Sequence, residues 1–293
     1  MHAPNAKAPA VRPALWMLAA AFTFAAMGTF THALGTRCDW LIVALVRAVF
    51  MFAATATWAR ASGVPLVFLE PRTLWLRSLA GSVSLVGNFF ALSRLHVADA
   101  ITLANAHPLW IVLMTAVLVR RPPSPDVALG VVSGLVGIVL IAQPHFDVDA
   151  DAVGIALLSS VSTAVAMLGL HRLRGVDSRA VVAHFAGVAA VVATVLMIVR
   201  GGGSSPDGLG SRTLLMLLGV GITGTLGQVF LTRAYAAGPP AKVAVVGLTQ
   251  VLFAIGFDAA LWGRTLSATA FAGFALVLAP TAWLMLRRRP ISA

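Results

Sequence analysis

The sequence predicts an all-α membrane protein of ten transmembrane helices, arranged as two inverted five-helix repeats. Three observations lead to this fold class. Hydrophobic residues make up 59% of the 293 residues and charged residues only 11%, against about 25% in an ordinary soluble domain. Charge-free runs recur along the chain, and most are close to the roughly 20 residues that cross a bilayer as a helix. Similar sequence patterns also recur in the two halves.

The composition excludes several other classes of protein. A chain with a mean hydropathy of +0.92 cannot cover its surface in water, which excludes a soluble globular enzyme and a disordered protein. Cys38 is the only cysteine, so a disulfide scaffold within the chain is excluded as well. The net charge of +11 is spread along the chain in short groups and forms no basic stripe, so we expect no nucleic-acid partner.

The positions of Asp, Glu, Lys and Arg mark ten candidate spans. Eight contain none of these residues, while the second contains Arg47 and the ninth contains Asp258, with Lys242 at its start. The third is short, so we extend it back to Trp75 and expect Arg77 to reach toward the lipid headgroups. The runs are too long for barrel strands. In chain order the spans are 13–36, about 40–59, 78–93, 100–119, 127–146, 152–171, 180–199, 213–232, 241–262 and 265–286.

Loop charges predict the orientation. With the N-terminus in the cytoplasm, inside segments hold 15 Lys and Arg and outside segments hold 5, the bias expected of cytoplasmic loops. We therefore predict a multi-pass inner-membrane protein with both termini cytoplasmic. Lys7 and Arg12 would also suit a signal peptide, but a 24-residue apolar run followed by nine more spans favours a first transmembrane helix. The loops are too short for a soluble catalytic domain.

Two pairs of segments indicate an internal duplication. Residues 118–124, which end the fourth span, resemble residues 261–267, which end the ninth, and each segment is followed by a glycine six residues on. Residues 87–94 resemble residues 227–233 with one residue slipped, so that Asn88 matches Gln228. An odd number of spans in each half forces the second half to insert upside down. Inverted repeats of this kind are typical of transporters, with the substrate at the midplane between them.

These features resemble the EamA-type members of the drug/metabolite transporter (DMT) superfamily over roughly residues 14–286. The resemblance rests on the 5+5 arrangement and on the basic turn, serine and Gly-rich helix that end each half. Arg47 and Pro108 match residues common in that family. Val251 stands where a proline would be expected, and Arg264 replaces the usual glutamate. We therefore expect the fourth and ninth helices to bend differently.

The resemblance implies two repeats, residues 14–146 and 152–286, flanked by cytoplasmic tails at 1–13 and 287–293. It further implies a secondary transporter that exports amino acids, aromatic or other apolar ones among them, or similar small metabolites by alternating access. Other relatives carry sugar phosphates or nucleotide or lipid-linked sugars, and this remains the alternative substrate class.

Polar side chains within the spans are candidates for a central cavity, because polar groups are costly in hydrocarbon and usually face the bundle interior. The helical period places several on shared faces, as for Ser84 with Asn88 and Thr225 with Gln228. They would bind a small polar or zwitterionic solute through uncharged hydrogen bonds. The alternative is that they only join helices to one another. The candidates are Ser84, Asn88, Asn105, His107, Trp110, Ser162, Thr225, Gln228 and Gln250.

A second set of residues carries charge or flexibility. His107 precedes Pro108, and it is either a proton-coupling group or a neutral side chain bonded to the backbone that the proline loosens. Arg47 has three candidate partners: a substrate carboxylate, Asp258, or backbone carbonyls of its own half. Asp258 itself is either an interfacial acid or a proton carrier. Pro108 and Gly227 are the candidate hinges.

Other functions lack the residues that they need. The sequence has no Gly-x-Ser-x-Gly elbow and no His-Glu-x-x-His zinc motif, so we expect neither an enzyme nor a metal or cofactor. A channel would need rings of charge or a carbonyl filter, which this asymmetric chain does not suggest. The expected partners are a small-molecule substrate and the lipid bilayer. Gly130 and Gly134 form a GxxxG pattern that would serve either packing within the monomer or a homodimer seam.

Overall fold

The structure is a computed structural model that describes residues 12–34, 37–69, 71–95, 97–143, 149–201, 210–263 and 267–286. Within these ranges the chain is helical and contains no strand. Arg264 and most of the two predicted tails lie outside the described residues. The helices are α1 (Arg12–Leu34), α2 (Trp40–Ala61), α3 (Arg72–Arg94), α4 (Val97–Ala104), α5 (His107–Val119), α6 (Pro125–Ala142), α7 (Ala150–Arg172), α8 (Ser178–Val199), α9 (Ser211–Ala237), α10 (Pro240–Gly247), α11 (Gln250–Trp262) and α12 (Ala268–Leu286).

These segments form ten crossings, five in each half. Nine stretches in the described part of the chain are long and apolar enough to cross a membrane, and two of them combine α4 with α5 and α10 with α11. The tenth is α3, which has 23 residues but carries Arg72, Arg77 and Arg94. The fold class predicted from the sequence, ten helices in two repeats, is confirmed.

The fourth and ninth crossings are interrupted at equivalent places. In both, an eight-residue helix (α4 or α10) is followed after two residues by a 13-residue helix (α5 or α11). Pro108 lies in the first turn of α5, where a missing amide hydrogen costs nothing. At the other interruption the Thr249 hydroxyl donates to the Val246 carbonyl over 2.7 Å. A break therefore occurs at the same place in both crossings, beside a proline in one and beside a backbone-bonded hydroxyl in the other.

The helix contacts repeat across the two halves. The first helix of each half packs along the third helix of the other, as α1 with α9 and α3 with α7. The second helix of each half likewise meets the third of the other, while α2 packs against α8 and α6 against α12. Each set of contacts maps onto itself when the halves are exchanged, as two inverted repeats require.

Glycines allow the closest helix contacts. A Cβ atom built on Gly137 of α6 would lie 2.7 Å from the Gly273 carbonyl oxygen of α12. The GxxxG glycines of α6 face α10: a Cβ on Gly130 would meet Val245 at 3.3 Å, and one on Gly134 would overlap Leu248. The predicted GxxxG face therefore packs within the monomer, where small residues let helix backbones approach.

Candidate functional site

A central cavity of about 200 Å³ lies between the two repeats. Residues of both halves line it, from every crossing except the fifth and the tenth. Its polar lining comes mainly from α3, α9 and the two interrupted crossings. The lining residues are Met17, Phe24, Arg47, Arg77, Gly81, Ser84, Leu85, Asn88, Ala104, Asn105, His107, Thr163, Ala166, Met167, Phe185, Gln228, Leu231, Gly247 and Gln250.

Six of the nine binding candidates face this cavity together, and so does Arg47. The structure thus brings most of the predicted polar residues into one hollow between the repeats. Whether they bind substrate remains a prediction. The six are Ser84, Asn88, Asn105, His107, Gln228 and Gln250.

A chain of hydrogen bonds runs from α3 to α7 along one wall. Thr163 donates to the Ser159 carbonyl over 2.8 Å, so its oxygen accepts from the Ser84 hydroxyl at 2.6 Å. Ser84 in turn accepts a weak bond from Asn88 Nδ2 at 3.4 Å. Ser84 is therefore committed to joining the two helices, whereas the rest of the Asn88 amide remains available to a solute.

Two side chains of the first repeat bond the interrupted backbone between α4 and α5. Asn105 Nδ2 donates to the Ile101 carbonyl over 2.8 Å. His107 Nδ1 lies 3.0 Å from the Ala104 carbonyl and so carries the proton of that bond. This leaves His107 Nε2 as an acceptor. The sequence left open whether His107 bonds the backbone or couples protons, and the structure shows the backbone bond.

The second repeat contributes two amides with unused hydrogen-bonding groups. Gln228 is 5% exposed, and its Nε2 atom is buried without a partner. Gln250 begins α11 and makes no hydrogen bond with a described side chain. Counted from the helix ends, Gln228 lies nine residues before the end of α9, whereas Asn88 lies six before the end of α3. The two are thus one helical turn apart in the repeat, and the predicted equivalence is off by that turn.

Arg47 of α2 is buried at the cavity and forms no ion pair with any residue that the structure describes. Its side chain lies against Gly224 of α9, and its guanidinium carbon is 5.8 Å from the centre of the Phe24 ring. Its Nε atom has no hydrogen-bond partner. Of the three partners predicted for Arg47, neither Asp258 nor a backbone carbonyl contacts it among the described residues.

Arg77 corrects the sequence-based expectation most clearly. It does not reach the headgroups but is 1% exposed and lines the cavity. Its guanidinium carbon lies 3.9 Å above the centre of the Phe185 ring of α8, and Gly169 of α7 leaves room for its stem. The Nε and Nη1 atoms are buried and have no hydrogen-bond partner in the described part of the chain.

A neighbouring histidine fixes the ring on which Arg77 lies. His184 Nδ1 is 2.8 Å from the Ser78 hydroxyl of α3, and its Nε2 is 3.1 Å from the Phe68 carbonyl. The carbonyl requires the proton on Nε2, so Nδ1 accepts from Ser78. These bonds join α3, α8 and the loop before α3, and they hold Phe185 at the cavity wall.

The helical period contained the signal for Arg77. Arg77, Gly81, Ser84 and Asn88 are spaced i, i+4, i+7 and i+11, which places them on one face of α3. The serine and the asparagine on that face were predicted to be inward. The expectation that Arg77 reaches the headgroups rests only on its place near the end of the span, and the face that it shares with these residues outweighs it.

Three binding candidates do not line the cavity. Trp110 faces an apolar groove of about 470 Å³ between α3, α5 and α7, and its Nε1 donates to Ser160 over 2.9 Å. Ser162 is half-buried on α7, where its neighbour Thr163 takes the cavity position. The Thr225 hydroxyl donates to the Gly221 carbonyl of its own helix over 2.6 Å.

The remaining charge and hinge candidates also differ in whether they lie at the cavity or at a helix interruption. Asp258 lies eight residues beyond Gln250 on α11, about 12 Å along the helix from the cavity. Pro108 lies at the interruption between α4 and α5. Gly227 lies within the continuous helix α9, and a Cβ there would come 2.8 Å from the Phe24 ring. In this conformation Gly227 permits close packing and marks no break.

Comparisons with known proteins agree with this architecture. The chain is 28% identical over 267 residues to the pseudopaline exporter CntI of Pseudomonas aeruginosa, covering 88% of this chain and 90% of that protein. It is 26% identical over 214 residues, 71% of each chain, to an uncharacterized transporter of Helicobacter pylori. It is 25% identical over 199 residues to human solute carrier family 35 member G1, covering 63% of this chain and 54% of that protein.

Fold and family comparisons lead to one assignment. A protein of known crystal structure superposes with a TM-score of 0.78 at 22% identity, covering 94% of this chain and 98% of that one, which supports the fold alone. The sequence model of the EamA-like transporter family matches residues 11–143 and 152–286. The chain therefore belongs to the EamA-like transporter family, within the drug/metabolite transporter superfamily.

Proposed function

We propose that this protein is a secondary carrier of the inner membrane that exports small metabolites, with amino acids as the first candidates. The observation that carries the proposal is the cavity of about 200 Å³ between the repeats, lined by amide side chains of both. The family supplies the transporter class. The name of the Pseudomonas aeruginosa relative, an exporter, supports the outward direction.

The size of the cavity favours small solutes. Pockets for drug-sized ligands measure about 300–1,000 Å³, so a hollow of about 200 Å³ argues against nucleotide sugars and lipid-linked sugars. A phosphorylated sugar remains the second candidate, because Arg77 joins Arg47 at the cavity wall. A carrier of either kind needs no enzymatic step.

We propose alternating access as the mechanism, with residues 14–146 and 152–286 as the two modules and both termini in the cytoplasm. The interrupted crossings supply bending points beside the cavity, at Pro108 in the first repeat and Thr249 in the second. Rocking one bundle of both repeats against the other would then expose the same lining to each side in turn.

Transport into proteoliposomes tests this function. A panel of amino acids is supplied with and without a pH gradient, and we expect saturable uptake of at least one. Dependence on the gradient that is lost in His107→Gln would assign proton coupling to His107. We expect Asn88→Ala and Gln228→Ala to change the order of preferred solutes, since both amides face the cavity.

Ser133→Ala is the matched control, because α6 contributes no residue to the cavity lining. It should transport like the parent protein. If the Asn88 and Gln228 variants also keep the parent's preferences for every solute, the cavity is not the binding site. Absence of uptake for all amino acids and all phosphorylated sugars would reject the proposed function.

A further inference from the structure

Two buried cations at one small cavity are a costly arrangement unless something pairs with them. Arg47 and Arg77 are 8% and 1% exposed, and an arginine without an ionic partner is costly within a transmembrane helix. Neither forms an ion pair with a described residue. Ring contacts with Phe24 and Phe185 are weaker than pairing with an anion, so they offset only part of the cost.

The fully buried polar atoms of the lining that lack a partner among the described residues are all of one kind. They are Nε of Arg47, Nε and Nη1 of Arg77 and Nε2 of Gln228, each a hydrogen-bond donor. No aspartate or glutamate occurs among the described lining residues. A ligand that satisfies these atoms must therefore supply acceptors and negative charge, and the described lining offers no acidic side chain to hold a positive group.

The N-termini of two helices add a smaller positive electrostatic potential at the cavity. α5 and α11, 13 residues each, begin at the cavity with His107 and Gln250, and helix N-termini favour negative charge. The C-terminal ends of α4 and α10 also reach the cavity at Ala104 and Gly247, which partly cancels this field. The arginines therefore dominate.

We infer that the cavity selects small oxyanions, carboxylates or phosphate monoesters, and that Arg77 and Arg47 bind the anionic group while Gln228 donates to it. A planar guanidinium suits either group through paired hydrogen bonds. The inference rests on the proposed function and narrows its substrate class. An amino acid would be recognised by its carboxylate, and its ammonium group would contribute little.

Three probes of nearly equal size separate the charges. Alanine carries both charges, lactate keeps the carboxylate without the ammonium, and alaninamide keeps the ammonium without the carboxylate. Thermal stabilisation of the purified protein by each probe measures binding without requiring transport. We expect alanine and lactate to stabilise the protein and alaninamide to have no effect. Glycerol 3-phosphate distinguishes a site for phosphate monoesters from one for carboxylates.

Single substitutions then test which residues bind the anionic group of the ligand. Arg77→Gln should weaken lactate binding at least about tenfold, the loss expected for a hydrogen bond to a charged group, while Arg77→Lys should weaken it less. Without ligand, Arg77→Gln should melt at or above the parent temperature, because it removes a buried charge that lacks an ionic partner. Arg47→Gln is the second variant. Arg94→Gln is the control, since Arg94 lies exposed at the end of the same helix.

The outcomes separate this inference from the proposed function. Equal stabilisation by alaninamide and lactate, or no stabilisation by any anion, overturns it. It is also overturned if Arg77→Gln and Arg47→Gln both keep parental affinity, or if Arg77→Gln only lowers the melting temperature while keeping that affinity. Saturable amino-acid uptake that lactate does not inhibit would keep the carrier and reject anion selection. Anion binding without uptake of any solute would keep anion selection and reject the proposed carrier.

Discussion

The contact between α6 and α12 predicts that a single methyl group at Gly137 destabilises the protein. The added Cβ would lie 2.7 Å from the Gly273 carbonyl oxygen and 2.9 Å from Cγ2 of Val277. Since ordinary contacts begin near 3.4 Å, the helices must separate by about 0.7 Å along this line. Overpacking of this kind costs about 1–3 kcal/mol, and shortening a side chain cannot relieve a contact with backbone.

Gly256→Ala is the matched control for Gly137→Ala. Gly256 lies within α11, and a Cβ there meets nothing within 4 Å, so the substitution gains helix propensity of up to about 1 kcal/mol. In detergent we expect Gly137→Ala to melt about 2–6 °C below the parent and Gly256→Ala at or above it. Since α6 and α12 contribute nothing to the cavity lining, solute preference should not change. A Gly137→Ala protein as stable as the control would show that these backbones do not touch.

Two further predictions concern single side chains. Asp177 caps α8 by accepting from the Arg179 amide, so Asp177→Ala should cost about 1 kcal/mol while Asp177→Asn keeps the cap. Hydrogen bonds from the Arg179 side chain lower the pKa of Asp177. The stabilisation that ionised Asp177 gives the folded protein is therefore fully present above the unfolded pKa of about 3.9 and is lost as pH falls through the lower folded pKa. Melting temperatures of the parent and of Asp177→Asn, compared across acidic pH, would reveal this loss. Phe185→Leu removes the ring under Arg77 and should weaken anion binding several-fold. Phe89→Leu loses the same volume in an apolar cluster and should leave anion binding unchanged. Equal loss of binding in both variants would contradict a specific role for the Phe185 ring.

The sequence predicted the crossings well because their cause is local. A charge-free run of about 20 residues records the bilayer thickness directly, and segments 118–124 and 261–267 marked the duplicated turn. The structure gives Arg120 and Gly263, at matching places in these segments, the same left-handed backbone. The inverted insertion of the second half follows from the duplication and the odd number of spans, whereas the pairing of helices across the halves comes from the structure.

Side-chain facing was harder to predict, because it depends on distant neighbours. Trp110 follows the interruption at residues 105 and 106, which shifts the helical phase relative to α4 and turns the ring toward Ser160. Arg77 is buried against Phe185 of α8 and Gly169 of α7, both from the other half of the chain. The helical period of α3 indicates the face that Arg77 shares with Ser84 and Asn88, but it cannot name the distant residues that meet that face.

The two cations show how a duplicated backbone acquires a cavity of single sign. Arg47 lies seven residues into α2, and Phe185 lies seven residues into α8. Each lies against a glycine thirteen residues before the end of the other half's third helix, Gly224 or Gly81. In the first repeat, the residue at this position is Arg47, which supplies a guanidinium itself. The second places an aromatic ring there, and Arg77 of the opposite repeat lies on that ring. Equivalent positions of the two repeats thus carry positive charge through different residues. In the alternating-access cycle that we propose, an anionic group would meet a cation at either position, so the proposed selection for anions would hold in both orientations of the carrier.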